Sequence, residues 1–178
     1  MDKQDAEIEK QKILQVYAAL AATLILSLLP FLNAAVLSLL LGLLVLVMGY
    51  IYRGRAEANS LMENHMTFVI RTVWIGSFFA VLFMAFGAAY LLSYLDNEPL
   101  LDCMQGFMAM GSEIYHPEIF KTVFSPCQES YLAVNMDVLV TGGIIVAVPP
   151  LLYFSVRLVR GLSRALKGYR LADPTSWF

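Results

Sequence analysis

No residue between Lys12 and Arg53 carries a charge, in a chain of 178 residues. Charge is scarce elsewhere too: Asp, Glu, Lys and Arg make up 15% of the sequence, against 59% apolar residues. Soluble domains run nearer about 25% charged and about 45–50% apolar, so this composition points to a membrane protein. Basic excess is also missing. A net charge of -2 is not the overall basic excess that suggests nucleic-acid binding, and no nucleic-acid partner is expected. The chain has no GxSxG, HExxH or phosphate-binding glycine loop, the patterns that carry nucleophilic, zinc or phosphate chemistry. No enzyme activity, catalytic residue, metal or cofactor is therefore expected. The opening run "MDKQDAEIEKQK" has mixed charges and no small-residue cleavage site after a short apolar core, so a secretory signal is not expected there.

What is present in quantity is long apolar runs. The 40 uncharged residues 13–52 would rise about 60 Å as helix, two crossings of a roughly 30 Å bilayer core. Pro30 and Asn33 within "LPFLN" mark the reversal, giving spans over 14–29 and 34–52. A third uncharged run covers 72–95 and a fourth 138–156. The fourth contains Gly142, Gly143, Pro149 and Pro150, which predict a kinked or partly unwound helix. The spacing thus predicts an all-α integral membrane four-helix bundle, one membrane domain over 1–178.

Cations are segregated. Lys3, Lys10 and Lys12 lie in the first tail; Arg53, Arg55 and Arg71 lie between spans two and three; Arg157, Arg160, Arg164, Lys167 and Arg170 lie in the tail 157–178. The segment 96–137 holds Lys121 alone against Asp96, Glu98, Asp102, Glu113, Glu118, Glu129 and Asp137. The positive-inside rule then puts both termini in the cytoplasm. The 41-residue outer loop 96–136 would be periplasmic in a bacterial inner membrane. Both cysteines, Cys103 and Cys127, fall in that loop, where an oxidising compartment favours a disulfide. Within it, Leu100, Met104, Phe107, Met108, Gly111 and Ile114 recur at helical spacing. Ser125, Pro126 and Gln128 read as the capped start of a second short helix.

Candidate sites are few. Met104, Met108, Met110 and His116 offer thioether and imidazole for copper, and Glu113 with His116 offers a zinc pair; neither set has enough ligands, so no metal is assigned. Arg157, Arg160, Arg164 and Lys167 fall on one helical face, a basic face suited to anionic lipid or an acidic partner. On a helical wheel the segment 56–70 divides. Ala58, Leu61, Met62, Met66, Phe68 and Val69 form an apolar arc, and Glu57, Asn59, Ser60, Glu63, Asn64, Thr67 and Arg71 a polar one. This predicts a cytoplasmic amphipathic helix lying in the interface. His65 lands within the apolar arc, where it must hydrogen-bond a neighbouring carbonyl or hydroxyl or act as a protonation-sensitive, bundle-facing functional group. Glu63 and His65 point about 160° apart at 100° per residue, so they form no local acid–base pair.

The run "YRGRAEANSLMENHMTFVIRTVWIG", following an apolar hairpin, resembles a family of small bacterial multi-span membrane proteins of unknown function. That family is related in pattern to the magnetosome MamF-like proteins and distantly to the small channel-forming subunit of the chloroplast inner-envelope import translocon. The resemblance rests on Ser60, Glu63, His65 and the run Ile70, Arg71, Thr72, Val73, Trp74. It covers roughly 17–95 and, loosely, 138–172. The outer segment with Cys103 and Cys127 departs from it in length. The expected role is a non-enzymatic inner-membrane scaffold or accessory subunit, partnered by the bilayer and by another membrane protein or further copies of itself. The alternative is a small oligomeric channel or transporter using His65 and the fourth span.

Overall fold

The computed structural model describes the backbone of residues 3–110 and 117–177. It is helical over 85% of the chain, with no strand among the described residues. Among the described residues five helices follow in order: α1 Lys3–Ser27, α2 Leu32–Arg55, α3 Leu61–Tyr94, α4 Glu98–Met110 and α5 Pro117–Leu166. Three of them, α2, α3 and α5 from Phe124 onward, are long and apolar enough to cross a membrane. Only 17% of the most apolar stretch of each is buried. Leucines and valines that a soluble fold would hide, such as Leu39, Leu40, Leu43 and Val47, stand outside, as expected of helices solvated by lipid. The four-span bundle is thus seen in part. In α1 the apolar stretch 13–27 has 15 residues and would rise about 22 Å as helix, less than a roughly 30 Å core.

The chain forms two compact units, Met1–Val81 with Val148–Phe178, and Leu82–Ala147. In the first, α1 and α2 make a tight antiparallel hairpin. Leu29 precedes Pro30, which disfavours helical backbone. The chain turns through Leu28 N–H to Ile25 O and Leu29 N–H to Leu26 O, 3.2 Å each. Ser38 Oγ donates to Thr23 O at 3.0 Å and fastens α2 onto α1. The core of this unit gathers α1, the start of α3, the end of α5 and the segment after it. Ile13, Val16, Tyr17, Leu20, Met62, Met66, Phe68, Val69, Ala165 and Leu171 are all buried there. Gly161 lets α5 meet α1, because a Cβ there would stand 2.6 Å from Tyr17 Cε1.

The interfacial helix 56–70 is corrected. Residues 56–60 are not helical, and 61–70 are the first turns of α3, continuous with the span. Asn59 takes φ 62°, a left-handed conformation that asparagine tolerates. Ser60 then caps α3: Glu63 N–H donates to Ser60 Oγ at 3.1 Å, and the Glu63 carboxylate accepts Asn59 N–H at 2.5 Å. This is a variant of the capping box. Glu9 of α1 accepts the Met62 N–H at 2.6 Å, so carboxylates occupy the positive end of the α3 dipole. The capping pattern at Ser125–Gln128 is overruled, since these residues lie inside α5. Likewise α5 runs unbroken as helix through Gly142, Gly143, Pro149 and Pro150, so of the two expected outcomes, a kink or partial unwinding, the unwinding does not occur.

In the second unit, Asn135 of α5 holds the end of α3. It accepts Asp96 N–H at 2.8 Å and donates to Asp96 O at 2.9 Å. Close helix contact comes from Gly142, where a Cβ would approach Leu91 Cδ2 to 2.7 Å, the small-residue packing that membrane helices favour. The predicted outer loop is therefore largely helix: α4, then the first turns of α5. Gly111 and Ile114 lie outside the described residues. Cys103 and Cys127 come to disulfide distance, with Cα atoms 5.8 Å apart, inside the bridging range. The untreated protein should expose no alkylatable thiol by mass spectrometry, and two after reduction. Two labelled thiols without reductant would show the pair unbridged.

Candidate functional site

The densest buried polar cluster of the first unit surrounds the chain's own C-terminal segment. α5 ends in a Schellman motif: Tyr169 N–H bonds Arg164 O and Gly168 N–H bonds Ala165 O, both at 3.0 Å, with Gly168 at φ 69°. Glycine suits this left-handed position because it has no Cβ. The reversal sends residues 169–177 back along α5 as a non-helical strap.

Three side chains hold that strap by its backbone. Asn64, only 6% exposed, donates Nδ2–H to Leu171 O at 3.1 Å and accepts Leu171 N–H at 2.8 Å. A primary amide offers a donor and an acceptor side by side in a single plane. Leu171 itself is buried in the core. His65, 0% exposed, sits with Nε2 3.1 Å from Tyr169 O and Nδ1 3.0 Å from the Tyr17 hydroxyl. A carbonyl can only accept, so Nε2 carries the proton and Nδ1 accepts Tyr17 O–H.

Arg157 completes the set. It is 1% exposed. Its Nε donates to Thr72 Oγ1 at 3.0 Å, Nη1 to Ser176 O at 2.7 Å and Nη2 to Phe68 O at 3.3 Å. Its guanidinium carbon lies 3.7 Å from the centre of the Phe68 ring, a cation–π contact. A buried charge needs such dense satisfaction. Arg71, one residue before Thr72, stands nearby with a buried Nε that has no hydrogen-bond partner among the described residues.

The strap closes on a turn at Asp173. Its Oδ1 accepts Thr175 Oγ1–H at 2.6 Å and Thr175 N–H at 2.8 Å. These bonds, with a smaller contribution from Arg71, hold the Asp173 carboxyl below the usual aspartate range. A depressed carboxylate contributes stability above its unfolded value and loses it as pH falls through the lower folded value. Carboxyl NMR should show Asp173 titrating below an ordinary aspartate, with Thr175→Val moving it back up. Identical titration in both proteins would show that these bonds do not form in solution.

The structure redistributes the expected site residues. His65 is buried, and its bonds are to one hydroxyl and one carbonyl. Asn64 leaves the wet arc of the wheel for the core, because the strap covers that side of α3. Arg157 is removed from the basic face by pointing inward, whereas Arg160, Arg164 and Lys167 remain exposed. Met104 and Met108 are exposed on α4; the side chain of Met110 lies outside the described part, as do Glu113 and His116. Among the described residues, no three His, Cys, Asp or Glu side chains are grouped to hold a metal ion. No sequence signal marks Asn64 as the strap's anchor. The one legible hint of a reversal is Gly168 just after the basic last turns of α5. No family model matches the chain, and no curated protein or solved structure matches it either.

Proposed function

We propose that this protein is a non-enzymatic scaffold or accessory subunit of a bacterial inner membrane, with both termini cytoplasmic. The segregation of Lys and Arg supports that orientation. In this reading α1 supplies a fourth crossing as the partner of α2. Its short apolar stretch suffices if the hairpin tip, with exposed Leu28, Leu29, Phe31 and Leu32, stays within the outer leaflet. The resemblance carried by Ser60, His65 and Ile70–Trp74 agrees with a small multi-span protein of this kind.

One observation carries the reading. The buried polar groups that would serve as catalytic or conducting groups, Asn64, His65 and Arg157, are bonded to the chain's own strap. Their work is architectural, and what the molecule offers outward is surface. A channel reading would route ions or protons past His65, but both ring nitrogens are engaged in a closed core, which favours the scaffold. Extracted in mild detergent, the protein should run as a stable homo-oligomer or with a second membrane protein. Native mass spectrometry showing only a lone monomer would count against this role, and ion or solute flux in proteoliposomes would favour the channel.

A further inference from the structure

We infer that the C-terminal strap is a membrane-interface anchor, with Trp177 seated in the lipid headgroup region at the level of Trp74 and Tyr50. The argument starts from Trp74 and Tyr50, on α3 and α2. Both are exposed, and Trp74 Nε1–H donates to the Tyr50 hydroxyl at 3.1 Å. Arg53 and Arg71 lie three residues from them towards the charged end. Exposed tryptophan and tyrosine beside arginine, at the end of long apolar helices, mark a membrane–water boundary.

The strap is fixed to that boundary by hydrogen bonds. Thr72 precedes Trp74 by two residues, a rise of about 3 Å. Arg157 bridges Thr72 Oγ1 and Ser176 O, at 3.0 Å and 2.7 Å. The Ser176 carbonyl therefore lies within one guanidinium of Thr72, and the next residue is Trp177. Trp177 leaves 54% of its surface uncovered, while Leu171 at the other end of the strap is buried. Beside Arg157 on α5, Leu152 and Val156 are exposed, continuing the lipid-facing belt. An exposed indole at this level has the amphipathic character of a headgroup-depth anchor: its ring is apolar and its N–H can bond a lipid ester or phosphate oxygen. The polar clamp holds the strap from the protein side and the bilayer holds it from the other.

The inference rests on membrane insertion but not on the scaffold role. The chain has two tryptophans, so Trp74→Phe leaves Trp177 as sole reporter, and Trp177→Phe leaves Trp74 as the depth standard. Both full-length variants would be reconstituted into phosphatidylcholine–phosphatidylglycerol vesicles carrying bromine either near the headgroup or near the chain ends. Trp177 fluorescence should fall at least about twofold more with headgroup-proximal bromine, matching Trp74, as interfacial tryptophans do. Trp74 quenched with Trp177 unquenched would overturn the anchor alone. Failure of both to respond would overturn the membrane placement with it.

Discussion

Arg157→Ala should lower the stability of the solubilised protein by about 3 kcal/mol, from hydrogen bonds to a charged donor worth roughly 1.5–3 kcal/mol each less the desolvation recovered by removing a buried cation. The change strips Thr72, Phe68 O and Ser176 O of one shared donor and removes the stacking on Phe68. Arg157→Lys should rescue little of the loss, because a single ammonium lacks the planar fork that reaches three acceptors at once. Thermal unfolding in detergent, read by circular dichroism, checks both variants. If Lys restored wild-type stability, charge rather than geometry would be what Arg157 supplies.

Asn64→Ala should free the strap. Two buried bonds to Leu171 vanish, and the orphaned N–H and C=O cost about 1–3 kcal/mol each unless the strap lifts into water. Lifting also exposes Leu171, so the expected result is a loose tail at a total cost of about 2–4 kcal/mol. Arg170 is exposed within the strap and provides the readout: trypsin should cleave after it much faster in the variant than in wild type. Asn64→Asp should behave nearly as badly. A carboxylate still accepts Leu171 N–H but faces Leu171 O without a donor. Unchanged cleavage in both variants would mean that the strap is held elsewhere.

The two capping signals show where local reading succeeds and where it fails. Ser125–Pro126–Gln128 has the residues of a helix start, yet the helix began earlier at Pro117 and runs through it. Ser60 and Glu63, which the wheel places on a polar face, are the cap in use. Capping patterns describe what a helix end would prefer; whether the chain ends a helix there depends on neighbouring segments. The wheel of 56–70 fails for a related reason. Period alone sorts residues into apolar and polar arcs, and it put His65 on the covered side correctly. It could not foresee that a segment more than 100 residues away would return to cover Asn64 as well.

The sequence by itself determined the helical class, the long apolar segments and the hairpin at Pro30, because each follows from local composition against a fixed helical rise and a fixed bilayer thickness. Charge segregation and the pairing of two lone cysteines were legible on the same terms. Only the tertiary structure decided that Asn64, His65 and Arg157 act as one clamp. A polar side chain's role is set by what lies opposite it. Here the partners are backbone groups of the tail, which have no residue identity to read, brought round by the reversal at Gly168.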